Sequence, residues 1–161
     1  MGLRTLSTTP ERQFFKNAMK ALNRNGILCL IADENKRTGG VFVNFFGRPA
    51  STPPGPAALG LRTGAAIVPI FITRAQDNSQ HITVLPEIAC EKTGDAAADV
   101  LAITASFTAV IEERIRRDLA QWMWTNFRWR TQPGGPSDEA KLKKFQPVKR
   151  LKKKIRKLLQ A

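Results

Sequence analysis

Two uninterrupted apolar runs constrain this chain more than any other feature: Ile27–Asp33 reads ILCLIAD, and Ala65–Arg74 reads AAIVPIFITR. Neither alternates polar with apolar. A strand wetted on one face alternates with period two, so a run that is apolar throughout is expected to be a strand covered on both faces. Helices supply that cover in α/β proteins. The chain must therefore contain helices around these runs, and its periodicity says where.

Thr9-Pro10-Glu11 is a helix start, with a capping residue, a proline whose missing N–H costs nothing there, and an early acid. Phe14, Phe15, Ala18, Met19 and Leu22 then share one face, and Asn25-Gly26 closes the helix. Gly40–Phe46 (GVFVNFF) is a second β-rich run. Between Gly47 and Pro56 stand four prolines and two glycines, which predicts an irregular loop, because proline fixes φ and removes a donor. PAALGLRTG is a short helix ending at Gly64, and HITVLPEI a weaker fourth strand. From Asp95 to about Trp124 a long helix is predicted from Phe107, Ile111, Ile115, Leu119 and Trp122, which recur at three- and four-residue spacing. This order predicts an α/β protein with a mixed sheet flanked by helices over residues 1–133. Pro133-Gly134-Gly135-Pro136 opens a linker over 134–139, and residues 140–161 form a tail.

The tail carries the charge. Lys and Arg number 26 against 13 acids, a net +13 over 161 residues. Ala140–Ala161 holds ten basic residues and no acid, leaving +3 on the rest (13 minus 10). Val148, Leu151, Ile155 and Leu158 recur at helical spacing among Lys149, Arg150, Lys152, Lys153, Lys154, Arg156 and Lys157. A basic amphipathic helix of this kind suits an anionic membrane surface. A nucleic-acid arm needs no such apolar stripe, and the near-neutral body argues against one. No run reaches the roughly 18 apolar residues of a spanning helix, and the first residues hold no apolar segment of a signal peptide, so a peripheral protein is expected.

Candidates for catalysis are few. His81 is the single histidine, at the polar edge of a strand, with no acid or cysteine at a useful spacing. Cys29 and Cys90 form no metal-ligand pattern, and Cys29 is expected to be a small buried thiol in a reducing compartment. No phosphate-loop or dinucleotide glycine pattern is present. The densest polar constellation is Asp33, ending the first run, with the loop 47–56 that follows the second. Functional residues gather at such strand ends. Arg37 and Arg48 can bind phosphate as a fork, and the helix after Thr52 or Gly55 presents free amide groups. A strand-end aspartate capping a turn beside a stiff loop is the plainer reading. Trp122, Trp124 and Trp129 interleave with Arg128 and Arg130, a pattern that suits a lipid–water boundary, stacking on bases, or a helix end packed on the core.

The run from Gly39 through Phe45-Phe46-Gly47-Arg48-Pro49-Ala50 and Thr52-Pro53 to LGLRTGAAIVPIF resembles the late acyltransferases of lipid A biosynthesis, which include the lauroyl and myristoyl transferases and relatives acting on mycobacterial mannosides. IEERIRRDLAQWMWTNFRWR (111–130) resembles their closing signature. The match runs from about Leu3 to Pro133. It implies an enzyme that moves a fatty acyl chain, with acyl carrier protein or coenzyme A as donor carrier and no other cofactor, to a hydroxyl of a phosphorylated glycolipid. It places Asp33 in the cleft, Arg48 and Thr52 against the headgroup, Phe45 and Phe46 in the acyl-chain wall, and Arg74 as a further cleft residue. It also implies attachment at the cytoplasmic face of the inner membrane. The interleaved aromatic segment and the basic tail, read from their own patterns, put Trp124, Trp129, Lys149, Arg150, Lys153, Lys154, Arg156 and Lys157 at the lipid surface. The family's base is a histidine separated by four residues from an acid. His81 is followed by Ile-Thr-Val-Leu-Pro, so the base is expected outside these residues, no catalytic residue is assigned, and the chain alone is expected to be inactive. Glu34, Leu119 and Asn126 depart from the family pattern, which usually has Gln, Pro and His there. An N-terminal half chain or a second copy is the expected protein partner. A non-catalytic remnant that binds membranes or partners is the alternative.

Overall fold

The computed structural model describes residues 4–135. The tail of 140–161 and most of the expected linker lie outside them. Three helices and two hairpins follow one another: α1 (Glu11–Leu22), β1 (Val41–Phe45), β2 (Arg48–Thr52), α2 (Gly55–Thr63), β3 (Ile70–Arg74), β4 (Gln80–Val84) and α3 (Ala96–Arg117). Helices with strands between them make the α/β class expected of the sequence. The strands pair only antiparallel among the described residues, β1 with β2 and β3 with β4, as two separate sheets rather than one mixed sheet.

α1 starts at Glu11 and buries Ala18, with Phe14, Phe15, Met19 and Leu22 half-buried around it. α2 runs to Gly64, whose φ of 72° supplies the left-handed cap that a side chain resists. α3 is capped by Asp95, which accepts from the amides of Ala97 (3.0 Å) and Ala98 (3.1 Å). It buries Ile103, Phe107 and Ile115 and lies across β1 and α2. It stops at Arg117, short of the expected Trp124; two 3-10 turns, Leu119–Gln121 and Trp124–Asn126, carry the chain onward. The periodicity persists past Arg117 because those turns still deliver Trp122 to the core, whereas Leu119 stays exposed.

The proline-rich stretch is not all loop. Phe46 (φ 53°) and Gly47 (φ 75°) form a two-residue turn with both φ values positive, and Arg48–Thr52 returns along β1. Pro49 is tolerated because only alternate pairs of an antiparallel ladder exchange hydrogen bonds. Its parity is that of Ser51, whose carbonyl turns away from β1 to accept from the Lys36 amide (3.0 Å), so Pro49 deletes a donor that β1 does not need.

The first apolar run corrects the sequence reading most sharply. Residues 27–33 form no strand and lie uncovered, with Ile27 92% and Ile31 74% exposed, and Cys29 is exposed rather than buried. Of the second run only Ile70–Arg74 pairs as a strand, extended by one bridge between Ile67 and Ile88. Its Ile70 and Ile72, with Ile82 and Val84 opposite, form an exposed apolar face on the β3–β4 hairpin. Continuous apolarity signals cover on both faces, and nothing among the described residues provides it.

Candidate functional site

The core is centred on Phe45, which is fully buried and ringed by aromatics. Its ring meets Trp122 edge-on at 5.6 Å, Trp129 at 5.5 Å and Phe46 at 4.9 Å. Three guanidinium groups lie over this cluster: Arg128 over Phe45 (5.0 Å), Arg48 over Trp129 (5.4 Å) and Arg116 over Phe46 (4.5 Å). Each is within cation–π range, and the buried Arg128 gains most because water does not compete.

Arg128 is 1% exposed. It donates through Nη1 to the Ser51 carbonyl (2.9 Å) and through Nη2 to Thr52 Oγ1 (2.6 Å). Burial pulls its pKa down to about 10 against the opposing field of Asp33, so it remains charged at neutral pH. Asp33 in turn accepts from Trp122 Nε1 (3.0 Å), and Asn35 exchanges hydrogen bonds with Thr131, donating to Oγ1 (3.0 Å) and accepting from the amide (3.1 Å). The segments around 33–35, 45–52 and 122–131 are thus pinned together across the chain.

The hairpin turn is held in the same way. Phe46 adopts a left-handed conformation that bulky residues avoid. Its amide donates to Glu112 Oε2 (2.6 Å), and the other oxygen of Glu112 accepts from Arg116 (2.6 Å and 3.0 Å).

Beside this cluster runs an apolar groove of about 440 Å³. Leu28, Leu30 and Ile31 line one wall, Ile70 and Ile72 another, and Phe107 and Ile111 the floor. Asp33, Arg114, Asp118 and Gln121 bring polar atoms to it. Arg114 donates to Thr73 Oγ1 (3.3 Å), while its Nε is buried with no partner.

The expected substrate residues are distributed unevenly. Asp33 lines the groove, and Arg48 is exposed over the aromatic cluster. Thr52 is fully buried, with its hydroxyl donating to the Ala50 carbonyl and accepting from Arg128, so it meets the protein's interior and not a headgroup. Phe45 is a core residue at the cluster's centre, away from any surface that a chain can slide along, and only Phe46 is half-exposed. Arg74 has an exposed side chain, and its backbone is clasped by Gln121 on both sides (3.1 and 2.9 Å). Trp124 is exposed beside Phe46, and Trp129 is half-buried. The basic residues expected at the lipid surface, Lys149 to Lys157, lie outside the described residues. His81 is exposed, with Ser79 Oγ 3.3 Å from its Nε2. Among the described residues no three His, Cys, Asp or Glu side chains gather as a metal site, and no helix is long and apolar enough to cross a membrane.

Sequence reasoning missed Glu112 and Arg114, and named Arg128 only as a member of the interleaved aromatic segment. Arg128 carried a signal, being the arginine between two aromatics in Phe127-Arg128-Trp129. Burial of a charge, however, depends on partners 76 and 77 residues away.

An α/β chain whose hairpin and terminal aromatic segment are locked around buried Phe45 and Arg128 is the class of protein that these features define. Residues 4–131 match the bacterial lipid A biosynthesis acyltransferase family, and the chain belongs to it. It is 31% identical over 119 residues to a phosphatidylinositol mannoside acyltransferase of Mycobacterium tuberculosis, covering 74% of this chain and 36% of that protein. A namesake from Mycolicibacterium smegmatis is also 31% identical, over 130 residues, 80% of this chain and 41% of that protein. The chain therefore spans well under half the length of these curated relatives.

Proposed function

We propose that this chain forms the acceptor-side portion of an acyltransferase that moves a fatty acyl group from acyl carrier protein or coenzyme A to a hydroxyl of a phosphorylated glycolipid, at the cytoplasmic face of a membrane. Family membership supports the acyl transfer, and the relatives' names support an acceptor that joins a phosphate to a sugar, a description that lipid A precursors share. The observation that carries the reading is the joining of both resembling blocks into one unit, through Arg128 to Ser51 and Thr52 and through Trp122 to Asp33. That unit leaves exposed Arg48 as a guanidinium for a headgroup phosphate and Asp33 beside the groove. His81, the single histidine of the sequence, is not followed by the acid of the family's motif, and on this reading the base comes from outside residues 1–161.

The test is transfer of radiolabelled palmitate from palmitoyl-coenzyme A to phosphatidylinositol mannoside, or to a lipid A precursor. This chain is assayed alone and together with the part of the M. smegmatis relative that it does not span. Transfer is expected only with both, and Arg48→Ala should raise KM for the acceptor with little change in kcat. Transfer by the chain alone, or no transfer with both, overturns the reading. The second reading, a non-catalytic membrane-binding protein, is favoured by Leu119, Met123, Trp124 and Phe127, all exposed near Arg116 and Arg117. It predicts binding to anionic vesicles with no transfer under any condition.

A further inference from the structure

The outer side of α1 carries a row of cations. Arg12, Lys16 and Lys20 stand four residues apart along it, and Arg24 extends the row into the turn that closes the helix. Four-residue steps bring side chains onto one face, so the three helical cations form a ridge about 12 Å long. The opposite side of α1 is the packed one, with Ala18 buried and Phe14, Phe15, Met19 and Leu22 half-buried. All four cations are exposed. Among the described residues none of them meets a carboxylate, because the ion pairs there are Lys36 with Glu11, Arg116 with Glu112 and Arg117 with Glu113. Like charges at this spacing repel and weaken a helix, and Arg12 in the first turn also opposes the helix dipole. The row therefore works against α1 itself, and an anionic partner relieves it.

The form of the row selects the partner. A helix that lies in a bilayer surface sets apolar side chains among its cations. Here the side chains flanking the row are Gln13 and Asn17, joined by a hydrogen bond from Gln13 Nε2 to Asn17 Oδ1 (3.0 Å). The phosphates of a coenzyme are gripped by cations that converge. These cations diverge instead, each step rising about 6 Å and turning about 40° around the helix. A second helix with carboxylates at three- and four-residue steps presents one acid to each cation. We infer that this face of α1 docks an acidic helix of a partner protein, and that the partner is the protein carrier of the acyl group. The start of α1 is tied to the segment after Asp33 by the pair of Glu11 with Lys36 (3.2 Å), so a carrier seated on the ridge stands beside the candidate cleft. The inference rests on the proposed acyl transfer, within which it selects the carrier protein over coenzyme A as donor. Docking is read from binding and transfer from the labelled product, so the two fail separately.

The experiment titrates the full 161-residue chain into fluorescently labelled palmitoyl-acyl carrier protein of M. smegmatis and follows anisotropy at low and at physiological salt. Lys16→Glu with Lys20→Glu is expected to weaken binding at least about tenfold and to flatten its dependence on salt. Lys92→Glu with Arg130→Glu is the control, because it changes the net charge equally at two other exposed positions. It should change binding by less than about twofold, the mark of a local rather than a global effect. The basic tail is the same in every variant, so differences between them report the ridge. Lys16→Gln with Lys20→Gln, which adds no negative charge, must weaken binding at least about threefold. That pair decides the question if the urea midpoint of the glutamate pair moves. The inference is overturned if the chain does not bind the carrier at low salt, or if the α1 variants weaken binding no more than the control. A loss confined to vesicles of phosphatidylcholine with phosphatidylglycerol makes the ridge a membrane contact, and an equal loss with palmitoyl-coenzyme A makes it a nucleotide site. Either result overturns the carrier as its partner.

Discussion

Arg128 shows how one residue can set the terms for its neighbours. Its two hydrogen bonds come from a charged donor, each worth about 1.5–3 kcal/mol. On truncation the Ser51 carbonyl keeps the Lys36 amide and the Thr52 hydroxyl keeps the Ala50 carbonyl, so the loss is that of the two charged bonds. Some of this is returned, because a buried guanidinium has given up its hydration. Arg128→Met is therefore expected to cost about 2–4 kcal/mol in urea unfolding. Arg128→Lys should not restore it, since one ammonium cannot fork to two acceptors held apart. An unchanged midpoint in the methionine variant would remove Arg128 from the core's architecture. Its titration works in the opposite sense to a stabilising acid. The folded value of about 10 lies below that of a free guanidinium, so above about pH 10 the unfolded chain holds this proton more tightly than the folded one. The group's contribution to stability rises with pH across that window and is flat below it, where both states are charged.

Among the elements, the β1–β2 hairpin is the one whose turn chemistry matters most. Gly47 sits at φ 75° with open space around its Cα, so a methyl group there meets no atom and the cost is purely conformational. Gly47→Ala should lower stability by about 1–2 kcal/mol, the penalty of a left-handed alanine, measured by thermal unfolding. A change under a few tenths would mean that the turn relaxes freely, contrary to its clamp by Glu112. This hairpin also marks where the sequence could be read and where it misled. α2 was legible from its bounds, because Pro56 and Gly64 act locally and need no partner. β1 was legible from its composition. β2 was not: Pro49 and Pro53 argue for a loop, and only the parity of the ladder, a property of pairing, makes Pro49 harmless. The run 27–33 misled in the opposite direction. Its composition reports the environment that it requires, and the described residues do not supply that environment. The candidate site follows the same division. Asp33 was visible as a polar residue closing an apolar run, whereas the partners of Thr52 and Glu112 are set by folding and lie far along the chain.

At the scale of the whole molecule, apolar surface is distributed as if the domain continued. Ile70, Ile72, Ile82 and Val84 form an exposed face on the β3–β4 hairpin, while Phe71 and Thr73 turn inward. Such a face contributes little to the stability of this chain and much to its association. Ile72→Thr with Ile82→Thr is expected to leave the unfolding free energy within about 0.5 kcal/mol of the parent while reducing binding of a hydrophobic dye. A large loss of stability would show that the face is covered in solution. The pins themselves carry a different consequence, one of timing. The bonds that pin the aromatic segment join residues far apart: Trp122 with Asp33 across 89 positions, Trp129 with Phe45 across 84, Thr131 with Asn35 across 96. Loops of that length must close before such bonds repay them, so these pins are expected to set after the local helices and hairpins. Until residues 122–131 dock, Asp33, Asn35 and Phe45 lack these latches, so the core is a lock whose key lies some ninety positions downstream of its tumblers.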